Sequence, residues 1–221
     1  MSERNDLKEL AAQLHCPSGE AGIAAGDRMF RTNGNMIRKT IDSMEILPCD
    51  RILEIGFGNG KHLGTLYKKE PMVTYYGVDT SDLMVDRAHT NNISHVRDEM
   101  AFFRQTDGIR LPYDNAFFDI AFTVNTIYFW EHPEIQLCEV YRVLAPGRSF
   151  YCAWVDRISM EALPFVDERF TLYGIAEAER LFRAHGFTVI TSCAFEEEVR
   201  SNAGNEHKRK YWIIKARKAA L

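Results

Sequence analysis

The sequence predicts an α/β fold in which a doubly wound, mostly parallel sheet of seven strands carries helices on both faces. Short runs of β-branched and aromatic residues alternate along the chain with segments of helical period, which is the pattern of repeated strand–helix units. At 221 residues the chain can bury one good hydrophobic core, and no repeat marks a second one. The strands are predicted near residues 51–55, 73–79, 101–105, 117–123, 148–155, 187–194 and 210–216.

The first predicted strand runs into a turn with three glycines at alternate positions. Residues 52–60 read Ile-Leu-Glu-Ile-Gly-Phe-Gly-Asn-Gly, and a helical pattern begins directly afterwards at Lys61 and His62. Glycine lets the backbone turn sharply and approach a ligand where a Cβ atom would intrude, and the free N–H groups of the helix start face the same ligand. The turn therefore predicts a nucleoside-cofactor site, with a plain glycine-rich loop as the alternative.

The second predicted strand ends in Asp79, about 23 residues beyond the first glycine of the turn. In a doubly wound fold, an acidic residue at this place hydrogen-bonds the two ribose hydroxyls of an adenosine. A dinucleotide site usually has G-x-G-x-x-G, whereas this chain has G-x-G-x-G with Glu54 two residues before it. The spacing favours an adenosine cofactor without phosphates and disfavours NAD.

These residues resemble the class I S-adenosylmethionine-dependent methyltransferases, whose first motif is E-x-G-x-G-x-G and whose second strand closes with an acidic residue. Residues 106–119 are similar to the family segment G-D-A-x-x-L-P-F-x-x-x-x-F-D, with Thr106 and Gly108 in place of its glycine and alanine. Residues 137–148 resemble the family's helix ending E-x-x-R-V-L-K-P-G-G before the fifth strand. The N-terminal segment resembles the cap of the small-molecule branch, which includes the ubiquinone/menaquinone methyltransferases.

The last two predicted strands form an antiparallel hairpin. The runs 187–190 and 211–214 are joined by a polar loop that contains residues 202–205, with no helical period between them. The resemblance implies a seventh strand inserted antiparallel at the sheet edge, which differs from the all-parallel sheet of dinucleotide enzymes. We therefore predict a Rossmann-like sheet that is parallel except for an antiparallel last strand at its edge.

The resemblance implies a binding site for S-adenosylmethionine and its product S-adenosylhomocysteine, and no metal. Asp107 is expected to accept a hydrogen bond from the adenine amino group, and the next backbone N–H to meet the ring. The backbone at Asn125 is expected beside the methionine part of the donor, whose end His62 covers. The implied donor-binding residues are Glu54, Gly56, Phe57, Gly58, Gly60, His62, Asp79, Thr80, Asp107, Gly108 and Asn125.

The acceptor is expected at the segment that follows the fourth predicted strand, residues 125–133, because ligands of open α/β sheets bind at the carboxyl ends of strands. Tyr128 and Trp130 offer π faces to a sulfonium or to a flat acceptor, with core packing as the alternative. His132 is a candidate catalytic base, since histidine titrates near neutrality, and Tyr128 is a second candidate catalytic residue. An ordinary residue at a helix start is the alternative interpretation of His132.

The first 50 residues are predicted to form an N-terminal helical cap or lid, within the same domain as the donor-binding core of residues 51–221. Met36, Ile37 and Ile41 keep helical spacing and are expected to pack this helix on the sheet. The glycine-rich stretch 17–35 is either a lid with hinges or a plain surface loop. Two of its residues, Met29 and Asn33, are expected to contact the acceptor.

Composition excludes several classes of function. The net charge is −4 and the isoelectric point is near 6.0, which disfavours a nucleic acid partner. The basic residues 208–210, with others at 215–218, are expected at the solvated edge of a terminal strand. No apolar run is long enough to span a bilayer and no signal peptide is recognisable, so we expect a cytoplasmic monomer or homodimer.

The five cysteines are widely spaced and include no C-x-x-C pair. This pattern indicates neither a disulfide framework nor a zinc site. Cys138 and Cys152 fall in predicted core elements, where a free cysteine usually serves as a small apolar side chain.

The leading hypothesis is methyl transfer from S-adenosylmethionine to a small-molecule acceptor by direct in-line displacement. One alternative is a non-catalytic protein that binds S-adenosylmethionine or S-adenosylhomocysteine, and a less favoured one is an NAD-dependent oxidoreductase. The sequence does not distinguish oxygen, nitrogen, sulfur or carbon as the methylated atom.

Overall fold

The structure is a computed structural model that describes residues 2–200 and 206–220. Its strands form one sheet, and its helices cover the sheet. The strands are β1 (Arg51–Ile55), β2 (Thr74–Asp79), β3 (Ala101–Gln105), β4 (Phe118–Val124), β5 (Leu144–Val155), β6 (Thr188–Arg200) and β7 (Glu206–Arg217). The helices are α1 (Ser2–His15), α2 (Gly19–Ser43), α3 (Leu63–Lys69), α4 (Asp82–Asn91), α5 (Ile93–Arg97), α6 (Pro133–Val143), α7 (Arg157–Glu161) and α8 (Ile175–Ala184).

The sheet has the order β3-β2-β1-β4-β5-β7-β6. Strands β1 to β5 pair in parallel, and β7 runs antiparallel to both β5 and β6. The predicted fold is therefore confirmed, including an antiparallel last strand. That last strand is inserted between β5 and β6, however, so β6 and not β7 forms the edge. The predicted loop 202–205 lies outside the described residues.

The two strands of the hairpin are longer than their apolar runs indicated. Strand β6 continues through residues 195–200, four of which are charged, and the sequence pattern alone does not identify them as strand. Its acidic side chains meet basic ones of β7: Glu196 lies 2.5 Å from Lys208 and Glu197 lies 2.6 Å from Arg209. Cross-strand charge pairs of this kind support a ladder that hydrophobic alternation would not predict.

The core lies between the sheet and its helices. The central strands β1 and β4 are buried on both faces, as expected for parallel strands covered by helices. Met36, Ile37 and Ile41 of α2 belong to the same core, so the predicted packing of this helix on the sheet is confirmed. Helices α1 and α2 thus share the hydrophobic core with residues beyond 50, while the division at residue 50 stays a prediction.

The glycine-rich stretch 17–35 was expected as a hinged lid or a plain surface loop; the loop is wrong, whereas the lid stays a prediction. From Gly19 onwards it is part of the continuous helix α2. A Cβ atom at Gly22 would stand 2.8 Å from the Pro17 backbone carbon, and one at Gly26 would stand 2.9 Å from the Met84 sulfur. These glycines therefore allow close packing of the helix against its neighbours, which offsets their low helix propensity.

Two cysteines expected in the core have different environments. Cys152 is fully buried in β5, whereas Cys138 is exposed on the outer face of α6, so the prediction is wrong for Cys138. Among residues 2–200 and 206–220, no helix combines the length and apolar character that crossing a bilayer requires. No group of three or more potential metal ligands occurs within the same ranges.

Candidate active site

A pocket of about 340 Å³ opens at the carboxyl ends of the central strands. Its walls come from the turns after β1, β2, β3 and β4, from the junction of α1 with α2, and from α2 itself. We call it the donor pocket. Its volume lies in the range of ordinary small-molecule sites, which begins at roughly 300 Å³. The fold thus brings the segments that the sequence singled out to one edge of the sheet.

The glycine turn contributes to the pocket through its middle residue. Gly58 has a φ of +59°, and a Cβ atom there would meet no protein atom within 4 Å, because it would project into the pocket. Gly60 has a different role, since a Cβ atom there would stand 2.9 Å from both Ala88 and Asn92 of the α4 region. Gly60 therefore permits helix packing and does not line the pocket.

Asp79 is held against the glycine turn. One carboxylate oxygen accepts a hydrogen bond from the Gly58 N–H at 3.0 Å, and the other accepts one from the Ser81 N–H at 2.9 Å. Burial raises the pKa of Asp79 to about 6, although both of these backbone N–H groups oppose the shift. The carboxylate is therefore mainly ionised at neutral pH and is fixed where it can accept bonds from ligand hydroxyls.

Glu54 lies beneath the pocket in a buried polar cluster with His62 and Tyr75. Its Oε2 atom is 2.7 Å from Nε2 of His62 and accepts a 2.5 Å hydrogen bond from the Tyr75 hydroxyl. Burial raises the pKa of Tyr75 well above its usual value, so this hydroxyl stays protonated and donates. Glu54 and His62 both line the pocket, and the cluster fixes the position of each.

The far wall of the donor pocket includes Thr80, Asp107 and Gly108. The Asp107 carboxylate accepts hydrogen bonds from the N–H groups of Arg110 and Ile109 at 3.0 and 2.9 Å, and these bonds lower its pKa. Asp107 is exposed at the surface side of the pocket. Its ionised carboxylate can accept a hydrogen bond from a ligand amino group.

Asn125 follows β4 in the left-handed region, with a φ of +59°, and asparagine tolerates this conformation better than most residues. Its Oδ1 atom accepts a 2.6 Å hydrogen bond from the Tyr128 hydroxyl, and its Nδ2 atom donates to Asn33 Oδ1 at 2.8 Å. The Tyr128 hydroxyl also accepts from the Val155 N–H at 2.5 Å, and burial raises its pKa. Tyr128 thus braces the turn after β4.

The other predicted acceptor residues occupy the mouth of the donor pocket. Trp130 is almost fully buried, whereas the side chain of His132 is about half exposed and lies 3.9 Å from Glu134. Met29 and Asn33 of α2 complete this end of the pocket. The structure brings every predicted site residue to the donor pocket except Gly60 and Tyr128, while the individual roles stay predictions.

Comparisons with known proteins agree with this arrangement. A family model described as a methyltransferase domain matches residues 53–152. The uncharacterised methyltransferase YdaC of Bacillus subtilis is 28% identical over 165 residues, which cover 75% of this chain and 86% of YdaC. These matches identify the chain as an S-adenosylmethionine-dependent methyltransferase that is similar to the class I enzymes. The family match contradicts the alternative of an NAD-dependent oxidoreductase.

More distant similarities share the same fold or the same segment of sequence. A chain from a complex that contains the Haloferax volcanii Trm112 methyltransferase activator superimposes with a TM-score of 0.76, at 19% identity over 91% of this chain and 96% of that chain. The 27-O-demethylrifamycin SV methyltransferase of Amycolatopsis mediterranei is 30% identical over 44% of this methyltransferase and 36% of its own length. The tRNA (carboxymethyluridine(34)-5-O)-methyltransferase of Saccharomyces cerevisiae is 29% identical over 44% of this chain and 31% of its own length.

Several residues of the site escaped the sequence analysis of this methyltransferase. Asn59 donates to Asp27 Oδ1 at 2.9 Å, and Lys61 lies 2.6 Å from the same oxygen, so α2 is tied to the glycine turn. Asn59 stands inside the glycine motif, and this position could have identified it as a site residue. No comparable sequence signal identified Asp27. The residues at the junction of α1 and α2, Leu14 and Pro17, line the donor pocket without any sequence signature.

The basic cluster 208–210 was expected to be solvated, and this is wrong for Arg209. Its guanidinium is buried, donates to Glu197 Oε1 at 2.6 and 2.9 Å, and donates to the Thr32 carbonyl at 2.9 Å. Nη1 also donates to Asn33 Oδ1 at 3.2 Å. Arg209 therefore fastens the β6–β7 hairpin to α2. The sequence gives no signal for this role, because the two partners are remote along the chain.

Proposed function

We propose that this methyltransferase acts on a small-molecule acceptor, as the ubiquinone/menaquinone-methyltransferase-like branch does, by direct in-line displacement. The observation that carries the proposal is the size and lining of the donor pocket, which measures about 340 Å³. Apolar and aromatic side chains of α2 and of the turn after β4 contribute to the lining, including Met29, Phe129 and Trp130. A compact molecule fits such an opening better than a folded macromolecule does.

The residues present fit S-adenosylmethionine. The open space that a Cβ atom at Gly58 would fill is the space in which a nucleoside can lie against the backbone. The fixed carboxylate of Asp79 accepts hydrogen bonds from ribose hydroxyls, and Asp107 stands where it can accept one from an adenine amino group. When bound, S-adenosylmethionine supplies a methyl group carried by a sulfonium sulfur.

The protein's own contribution is to position the acceptor against the donor and to exclude water from the site. In-line displacement needs a nucleophile held about 3 Å from the methyl carbon in a dry site. Helix α2 and the nearly buried Trp130 cover the pocket, and the cluster of Glu54, His62 and Tyr75 keeps its floor rigid. A general base is needed only for a nucleophile that loses its proton during attack. His132 at the rim is our candidate for that role.

Charge also favours a small acceptor over tRNA. Three basic side chains near the C-terminus are paired with glutamates: Lys208 with Glu196, Arg209 with Glu197, and Lys215 with Glu45. Cations neutralised in this way contribute little to phosphate binding, and the chain as a whole has a net charge of −4. The partial similarity to a tRNA methyltransferase makes tRNA the alternative that the experiment must address.

The test is to incubate the protein with S-adenosylmethionine labelled in the methyl group, in one reaction with a metabolite extract and in another with total tRNA. With the donor kept below its dissociation constant, we expect label in a compound of low molecular mass and a signal at least about tenfold weaker with Asp79→Ala. Label confined to tRNA would contradict the proposed acceptor class, and labelling that is unchanged by Asp79→Ala would contradict the donor contact of Asp79.

A further inference from the structure

A second cavity adjoins the donor pocket, and it encloses about 50 Å³. Neither Asp79 nor the glycine turn lines it, so it lies away from the ribose-binding end. We call it the inner chamber. Five residues line both the donor pocket and the inner chamber and lie between the two spaces: Leu14, Met29, Asn33, Asn125 and Phe129.

The inner chamber has a mainly apolar lining that includes the rings of Tyr128, Phe129, Phe165 and Phe170. The ring of Phe170 is central, with its centroid 4.8 Å from that of Phe129, 6.2 Å from that of Phe165 and 6.3 Å from that of Tyr128. Tilted rings at these distances present both edges and faces to the enclosed space. The lining therefore suits a flat apolar ligand.

One polar side chain of the chamber has no partner among the described residues. Both ring nitrogens of His207, on β7, are buried and accept or donate no hydrogen bond. The other polar side chains of the lining are engaged: Asn33, Asn125 and Tyr128 bond to one another or to neighbours, and Arg209 is paired with Glu197. Because buried polar atoms are nearly always paired, His207 is equipped to bind a ligand atom.

The chamber also adjoins a groove at the surface. His207 and Leu163 line both the chamber and an outer groove between α7 and β7, which includes Ile158 and Pro164. The present volume holds one or two water molecules at about 30 Å³ each, and a six-membered ring needs roughly 150 Å³. Met29 and Met160 are flexible parts of the wall, and methionine side chains adapt readily to a ligand.

We propose that the inner chamber is the acceptor site, and that it takes a compact aromatic or otherwise flat apolar molecule with a hydroxyl or amino group. That polar group forms a hydrogen bond with His207, and the ring packs against Phe170 and its neighbours. The acceptor enters past Leu163, and displacement of Met29, a flexible side chain that lines both spaces, joins the chamber to the donor pocket so that the reacting atom comes within about 3 Å of the methyl carbon. This proposal rests on the proposed function, because it names the acceptor class for the same site.

The experiment uses two probes of nearly equal size, phenol and toluene, with the wild-type protein saturated with S-adenosylhomocysteine. Binding is measured by protein NMR titration, and the site is located in crystals soaked with phenol. We expect phenol to occupy the chamber and to bind about tenfold more tightly than toluene, which corresponds to one additional hydrogen bond. His207→Phe should equalise the two affinities, and Leu163→Trp should weaken both at least tenfold.

The matched control is His95→Phe. His95 also has a buried ring nitrogen without a described partner, but it lines neither the chamber nor the outer groove. Equal binding of phenol and toluene to the wild-type protein would overturn the proposal, as would phenol found elsewhere in the crystal. Wild-type labelling of a small metabolite that persists in Leu163→Trp would reject the chamber while leaving the proposed function intact. Labelling of tRNA alone would instead reject the proposed function.

Discussion

The proposed donor side and the proposed acceptor side of this methyltransferase are built in different ways. On the donor side, the decisive hydrogen bond joins Gly58 to Asp79 across 21 positions of sequence. On the acceptor side, the bond between Asn33 and Asn125 spans 92 positions, and the bond from Arg209 to Thr32 spans 177. One side comes from a single strand–turn–helix unit and the next strand, and the other is assembled from both ends of the chain.

This difference predicts how substitutions on each side affect stability and donor affinity. The expected ribose contacts come from the backbone of a turn and from one carboxylate fixed by that turn, so changes elsewhere should leave them in place. The acceptor side depends on tertiary links, of which the buried pair of Arg209 and Glu197 is the most enclosed. Damage to a link should therefore change global stability and the acceptor wall before it changes donor affinity.

The largest effect is expected from Arg209→Met. Removing one partner of a buried ion pair leaves the other charge unpaired, which typically costs about 3–5 kcal/mol of unfolding free energy. Urea denaturation measures this loss, and calorimetry should show that the affinity for S-adenosylhomocysteine changes less than twofold. The control is Lys208→Met, which breaks the exposed pair with Glu196 on the same hairpin and should have no measurable effect on stability. Equal stability of Arg209→Met and Lys208→Met would contradict the expected difference between the buried and the exposed ion pair.

The next effect concerns the donor side alone. Gly58→Val places a branched side chain in the open space of the pocket, and we expect the affinity for S-adenosylhomocysteine to fall more than about a hundredfold, or about 3 kcal/mol. Gly19→Val is a close control, because Gly19 has a φ of +60° and equally open surroundings but lies outside the donor pocket. Both variants carry the same backbone strain. If Gly19→Val reduced donor affinity as much, strain and not obstruction would be the cause.

The same contrast explains what the sequence could predict. The parallel strands, the glycine turn and Asp79 were predicted because buried strands, tight turns and strand-end carboxylates have signatures within a few neighbouring residues. The helical state of residues 19–35 was missed because Gly22 and Gly26 are favourable there only through contact with Pro17 and Met84. Local propensity counts the cost of a glycine and not the packing that it permits.

Charged residues show the second limit of sequence reasoning. Arg209 stands in the basic cluster 208–210, which predicts a solvated edge, yet it is buried against Glu197. The preceding His207 lines the inner chamber, and no sequence pattern indicated this. The burial of a cation depends on a partner that only the folded sheet supplies. The position of the last strand between β5 and β6 likewise depends on tertiary packing, because the hairpin pattern alone permits either strand at the edge.

A smaller effect is expected from Asp79→Ala. It removes charge-assisted hydrogen bonds to ribose, worth roughly 1.5–3 kcal/mol, so the affinity for S-adenosylhomocysteine should fall about tenfold to a hundredfold with the fold intact. Isothermal titration calorimetry gives the affinity, and circular dichroism checks the fold. Asp86→Ala serves as the control, since Asp86 is exposed on α4 and lies outside the donor pocket. Unchanged donor affinity in Asp79→Ala would rule out the ribose contact.

The smallest effect is a dependence of donor affinity on pH. The raised pKa of Asp79, about 6, means that its ionised form is disfavoured in the free protein, so its contribution to folding is greatest below about pH 4 and is lost as pH rises through 6. The donor binds the ionised form and therefore has the opposite dependence. Its affinity should rise about tenfold from pH 5 to pH 7 and then level off. Calorimetric titrations with S-adenosylhomocysteine at pH 5, 6, 7 and 8 measure the rise, and Asp79→Asn should flatten it. A rise in affinity that persists in Asp79→Asn would show that another group titrates. Ionisation of Asp79 would then not control donor affinity.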